Sequence, residues 1–329
     1  MKLYIIGNGF DRHHNMPTSY YDYKLFLNNY HPEAIKEFES FEYIKGYDND
    51  DIYWTDLEES LSLDADSLLN DFVNEYYPDV TSDTDYTWDE MRVELETITR
   101  FIYNFTGVYF ITWIQSIDPT KYIVDKNLDL DSNGLFITFN YTSTLESLYQ
   151  IPSENILHIH GKSNDDLASK IIASNSYHPA KTLEEAEIID PIPIPPINNH
   201  SVHSVIQFGS TQNDPAIIGE TLQNKYTNDD FHGASISQGV NEIIKYCYAS
   251  YKNLDANYSL LKDFISNNPI SEIIILGHSF DGIDEPYYSD VIIPALKDKK
   301  WVFYIHDNNE NYLSFVKKYN IKNHTCITW

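Results

Sequence analysis

The chain has 329 residues, 42% of them hydrophobic and 15% aromatic, enough apolar surface for a sizeable core and too much for a disordered polymer. Fifty acidic residues against 22 basic ones give a net charge of −28. That surface repels phosphate backbones and anionic bilayers and so counts against nucleic acid or membrane as partner; a small nucleotide held by backbone N–H groups stays possible.

From the N-terminus, Lys2–Ile6 reads as a short buried strand that enters a tight turn at Gly7-Asn8-Gly9-Phe10-Asp11. Leu3–Ile6 is too short for the apolar part of a secretory leader, and no later run reaches a membrane span, so the expected location is the cytoplasm. Thr18 or Ser19 caps the next helix, with Tyr20, Tyr23, Phe26 and Leu27 on its apolar face. Residues 32–117 are helical throughout and are read as an insertion after the first strand. Pro32 opens one helix; Trp54, Leu57 and Leu61 mark another, and Leu68, Leu69, Phe72 and Val73 a third. A long helix over 88–116 carries Met91, Leu95, Ile98, Ile102, Phe105 and Tyr109.

Strands follow at Leu135–Phe139 and Ile156–Ile159, with a short helix over 143–150 between them. Residues 162–203 have no period and include Pro191, Pro193, Pro195 and Pro196, which predicts an irregular loop or lid. A short strand at Val205–Phe208 precedes helices over 215–226 and 236–267. Strand Glu272–Leu276 runs into Gly277-His278-Ser279, and a helix spans 285–297. Strand 301–305 ends at His306-Asp307, followed by a helix over 309–319 and a strand over 324–328. Alternating strands and helices with glycines at strand ends predict a single α/β domain over 1–329, a Rossmann-like open parallel sheet. Cys247 and Cys326, the two cysteines, suit buried thiols of a reducing compartment better than a bridge.

Four places carry candidate chemistry. Gly7 and Gly9 let a backbone approach a pyrophosphate, although Arg12 stands where the full dinucleotide fingerprint has its third glycine; a plain tight turn explains them equally well. Asn140 and Thr142, after a strand, either contact a ribose or cap a helix. His158 and His160 fall on one face by alternation. His160 then serves as a general base, or the pair is half of a metal site completed by His278, His306 and Asp307; a core-packed His158 is the plain reading. Gly277-His278-Ser279-Phe280-Asp281-Gly282-Ile283-Asp284 resembles a phosphate or ribose loop, and Asp281 in place of a glycine argues against a serine nucleophile elbow; Asp281 or Asp284 as a helix cap is the alternative. Trp54-Thr55-Asp56-Leu57-Glu58 places Trp54 and Glu58 one helical turn apart, and by itself reads as solvated surface.

Taken in order, Gly7-Asn8-Gly9-Phe10-Asp11 with His14 and Pro17-Thr18-Ser19-Tyr20, then Trp54–Glu58, Phe139–Glu146, His158–Gly161 and Gly277–Ser279 resemble the AbiH family of bacteriophage abortive-infection proteins. Asn15 stands where that family usually has glycine; asparagine tolerates a left-handed backbone second best. More distantly the blocks resemble the sirtuin-like fold of NAD-hydrolysing defence enzymes. That resemblance implies dinucleotide contacts for Gly7, Asn8, Gly9, Phe10, Asp11, His14, Thr142, Gly277, His278, Ser279 and Asp284, and catalytic roles for Asn140 and His160. Thr142 replaces the sirtuin-like aspartate, and two cysteines cannot supply a zinc quartet, which argues against protein deacetylation.

The resemblances therefore imply an antiphage enzyme that cleaves NAD⁺ at the nicotinamide–ribose bond, with NAD⁺ as substrate and no resident cofactor. A nucleotide-sensing module that triggers a partner defence protein or a homo-oligomer, and a metal-dependent hydrolase or nuclease built on His158 and His160, are the rival expectations.

Overall fold

Apolar side chains alternate between two faces along the strands, the pattern of a parallel sheet covered on both sides. Leu3, Ile5, Leu135, Ile137, Ile273, Ile275, Trp301 and Phe303 share one buried cluster. Tyr4, Ile6, Phe136, Ile274, Leu276 and Val302 share another on the opposite face. The structure, a computed structural model, describes residues 1–44, 54–76, 87–122, 128–162, 206–226, 233–280, 282–305 and 309–328.

Six strands form the sheet: β1 Lys2–Ile6, β2 Leu135–Thr138, β3 Ile156–His158, β4 Glu272–Leu276, β5 Lys300–Ile305 and β6 His324–Thr328. Every neighbouring pair is parallel, and the order is β3-β2-β1-β4-β5-β6. This is the strand order of a Rossmann fold. The chain winds outward from β1 in one direction, then returns to β1's other side at β4, so the crevice between the ends of β1 and β4 is the switch point where such sheets hold ligands.

Helices Tyr20–Tyr30, Pro32–Ser40, Leu57–Ser60, Ala65–Glu75, Thr87–Tyr103 and Phe110–Ser116 lie between β1 and β2, as the sequence indicates. Ser19 caps the first of these through a capping box with Asp22. The single helix expected over 88–116 is instead interrupted by a π turn, Asn104–Tyr109. There the carbonyl of Phe105 accepts the Tyr23 hydroxyl at 2.6 Å, so a side chain from another helix bonds the irregular turn.

Two later helices, Pro215–Tyr226 and Gly233–Ala249, join the same helical core through Leu222, Ile236, Val240, Ile243 and Tyr246. The continuous helix expected over 236–267 breaks after Ala249 and restarts at Leu254, where the Asn253 side chain caps it. In the gap, Ser210 N–H donates to Ser250 O at 2.8 Å and Lys252 N–H to Ser210 O at 3.1 Å. The strand expected at 205–208 is not regular over its described residues; Gln207 N–H donates instead to His160 O at 2.9 Å. Of the loop expected over 162–203, only Lys162 is described. Cys247 is buried, but Cys326 is exposed on the edge strand, contrary to the expectation of two buried thiols.

Candidate functional site

The two glycine turns at the switch point are built against each other. Gly7 N–H continues β1 by donating to Leu276 O at 3.0 Å, and Gly9 N–H donates to Gly277 O at 2.8 Å. A Cβ on Gly7 would lie 2.7 Å from Gly277 O, and one on Gly9 2.8 Å from Gly277 Cα. Gly277 has φ +65° and its own Cβ would come within 2.2 Å of Phe10 N. Packing of one turn on the other therefore accounts for all three glycines. Since Phe10 N–H also donates to Gly7 O at 2.9 Å, the Gly9 and Phe10 donors serve the turn itself. Asn15 takes φ 60°, a left-handed backbone that asparagine tolerates second best to glycine.

Asn140 follows β2 and reaches across to β1, its Nδ2 donating to Gly7 O at 3.1 Å. Its backbone N–H bonds Thr138 Oγ1 at 3.1 Å, so it is fixed in place by its own strand end. Thr142 Oγ1 donates to Asp11 Oδ2 at 2.6 Å. Asp11 is buried and its Oδ1 makes no hydrogen bond. Burial raises its carboxyl to about 6, against the opposing pull of Thr142 and nearby Thr144 and Asn140. Asn8 is tied to Thr18 by a pair of bonds, Nδ2 to Thr18 O at 2.9 Å and Thr18 Oγ1 to Oδ1 at 2.6 Å.

Deeper in the crevice lies a cluster of buried ionisable groups. Lys252 Nζ donates to Glu58 Oε2 at 2.6 Å and to Asp284 Oδ1 at 3.4 Å. Tyr141 OH donates to Glu58 Oε1 at 2.5 Å. His160 Nε2 and His278 Nε2 each stand 3.6 Å from an oxygen of Asp284. Phe280 N–H donates to His278 Nδ1 at 3.2 Å, which puts the ring proton on Nε2 facing the carboxylate. Tyr287 OH accepts from Asn257 Nδ2 at 2.8 Å and lies 3.3 Å from His160 Nε2, so its own proton is free to point at that nitrogen. Burial, with Lys252 adding to it, holds His160 well below the usual histidine range and lowers His278 to about 3. Both rings are neutral at physiological pH. Burial pushes Glu58 and Asp284 upward, opposed in each case by Lys252.

A cavity of about 1240 Å³ covers these groups. Gly7, Asn8, Gly9, Asp11, Asn140, Thr142, His160, Gly277, His278, Ser279 and Asp284 all line it. Phe10 and His14 do not. Phe10 is fully buried in the core on the β1 side, and His14 is engaged by Phe10 O at 2.7 Å and Tyr149 OH at 2.6 Å. His158 departs from the one-face expectation: β3 ends there, the chain turns, and its ring bonds Glu146 Oε1 at 3.0 Å away from the cavity. His306, Asp307 and Asp281 lie outside the described residues, among which no group of three His, Cys, Asp or Glu is placed to hold a metal ion.

Glu58, Lys252 and Tyr141 line the same cavity, although the sequence does not mark them as site residues. Glu58 reads as solvated acid in sequence, yet it is 5% exposed because a lysine 194 positions later meets it. Its one visible signal was its place in the block Trp54–Glu58.

An open parallel sheet in Rossmann order, with a cavity lined by ionisable groups at its switch point, defines a protein of the Rossmann-like α/β class. The family model described as bacteriophage abortive infection AbiH matches residues 3–305, and the chain belongs to that family, whose role is phage defence by abortive infection. Comparison with curated proteins and with solved structures found no match. No helix among the described residues is long and apolar enough to cross a membrane.

Proposed function

We propose that the chain acts in abortive infection as a nucleotide-processing enzyme that hydrolyses NAD⁺ at the nicotinamide–ribose bond, taking NAD⁺ as substrate rather than as a resident cofactor. The observation that supports this most is the meeting of Asn140 and His160, from the ends of two adjacent strands, in one cavity at the switch point of the sheet. Cleavage of this bond passes through a ribose with oxocarbenium character, and the departing nicotinamide is neutral, so no strong acid is needed. The protein has to hold the dinucleotide, admit one water and favour positive charge on the sugar. Asn140, its amide nitrogen committed to Gly7 O, offers its carbonyl oxygen to a ribose hydroxyl or to the water. His160, neutral in its buried place, accepts from the same groups when they displace the Tyr287 hydroxyl, 3.3 Å away, from its Nε2. Glu58 and Asp284 supply negative charge where the sugar becomes positive.

Phage infection of cells carrying the wild type is expected to deplete NAD⁺, and Asn140→Ala or His160→Ala to prevent it. NAD⁺ loss that is the same in both variants as in the wild type contradicts the assignment. Tight nucleotide binding with no product would instead favour a sensor that signals to a partner.

A further inference from the structure

The two carboxylates that share Lys252 are bonded very unequally. Glu58 receives the Tyr141 hydroxyl at 2.5 Å and the Lys252 ammonium at 2.6 Å, so both of its oxygens are committed to short bonds. Asp284 receives Lys252 at 3.4 Å, and its other neighbours, His160 Nε2 and His278 Nε2, stand at 3.6 Å, beyond hydrogen-bonding reach. Asp284 therefore keeps lone pairs available in a wall of the cavity. Burying Lys252 and Glu58 this deeply, with Asp284 half-buried beside them, carries a desolvation cost of several kcal/mol per buried ion that well-packed apolar residues would avoid, so stability alone does not explain the cluster.

Resting on the NAD⁺ reading above, we propose that Asp284 is the catalytic base of the site, taking a proton from the water that attacks the ribose. In that step the C1′–N bond breaks with its electron pair going to the pyridinium ring, which leaves as neutral nicotinamide. The water oxygen bonds C1′, its proton passes to the Asp284 carboxylate, and that proton is afterwards released to solvent. Asn140 and His160 position the sugar and the water.

The surroundings of Asp284 set its proton affinity. Glu58 faces it from the helix Leu57–Ser60 and Lys252 from the gap before Leu254; His160 and His278 face it from the ends of β3 and β4. The hydroxyls of Tyr20, Tyr141, Tyr287 and Tyr288 lie within its field. Burial raises its carboxyl above the ordinary aspartate value, more than Lys252 lowers it, whereas the same burial makes both histidines poor bases.

The test uses the full chain with Asp284→Asn, Asp284→Glu and His160→Gln, following nicotinamide release from NAD⁺ against pH. The expected wild-type rate falls on the acid side through one ionisation. Asp284→Asn should lose about 100-fold in kcat together with that acid limb. Asp284→Glu should retain the limb, and His160→Gln should be slower with the limb intact. Lys252 still pairs with Glu58 in Asp284→Asn, so the fold has its main buried ion pair. An acid limb that survives in Asp284→Asn and disappears in His160→Gln overturns the proposal.

A second measurement does not depend on turnover: carbon-13 spectra of protein labelled at aspartate carboxyls, with Asp284 identified by its absence from Asp284→Asn. A midpoint above that of an ordinary aspartate is expected, and an ordinary or lowered one overturns the assignment. If the wild type releases no nicotinamide, the NAD⁺ reading falls, and this titration still decides whether Asp284 carries a proton.

Discussion

At the scale of single residues, burial fixes which groups are charged, and Asp11 is the clearest measurable case. Its carboxyl rises from an ordinary 3.8 to about 6 because it is withdrawn from water with a single close donor, Thr142. The native state thus keeps a proton that the unfolded chain has already lost. This stabilising contribution is complete below about pH 4 and is lost as pH rises through about 6, a difference of roughly 3 kcal/mol at 1.36 kcal/mol per unit. Asp11→Asn removes the titration and leaves a side-chain oxygen to accept from Thr142. The stability of the variant relative to wild type should therefore climb by about 3 kcal/mol between acid and neutral pH, as read by urea unfolding. A pH-independent difference would show that Asp11 titrates alike in the native and unfolded chain.

One physical ground separates the site residues legible in the sequence from those that are not. Asn140, His160 and Gly277 sit at ends of strands whose apolar runs are visible, so topology alone brings them to one edge. Glu58 and Lys252 depend on each other across 194 positions, and nothing local distinguishes a paired buried acid from a solvated one.

Among elements, the mutual packing of the two glycine turns holds β1 and β4 at the spacing the cavity needs. Gly277 and Gly282 make a matched pair for measuring it: their φ angles are +65° and +66°, but a Cβ on Gly277 meets Phe10 N at 2.2 Å, while one on Gly282 has nothing within 4 Å. Gly282→Ala should cost only the left-handed strain, about 1 kcal/mol. Gly277→Ala adds a clash with rigid backbone and should cost at least about 2 kcal/mol more, together with weaker nucleotide binding. Equal losses in chemical denaturation would mean that the turns are not locked together.

The strands and the helical insertion were legible because period and glycine punctuation agree in them. The π turn at Asn104–Tyr109 and the break after Ala249 were not. The first is bonded by a tyrosine hydroxyl on another helix and the second by Ser210, and neither partner is close in sequence. Asn253, a good capping residue, was the one local hint of the break. His158 and His160 do not share a face because strand alternation stops at the end of β3, where the chain turns.

For the molecule as a whole, the cavity is a joint product of the sheet and the helical layer. The sheet edge contributes Asn140, His160 and His278, and the inserted helices contribute Tyr20, Trp54 and Glu58. A surface of −28 repels large polyanions, yet the one lysine of this cluster is buried beside two carboxylates, an arrangement that favours positive charge arising inside the cavity. The most direct test of this account is to incubate protein isolated from infected cells with NAD⁺ in H₂¹⁸O and weigh the products by mass spectrometry. Hydrolysis at the nicotinamide–ribose bond predicts unlabelled nicotinamide and ADP-ribose carrying one ¹⁸O. Intact NAD⁺, or AMP and nicotinamide mononucleotide from cleavage at the pyrophosphate, would contradict it.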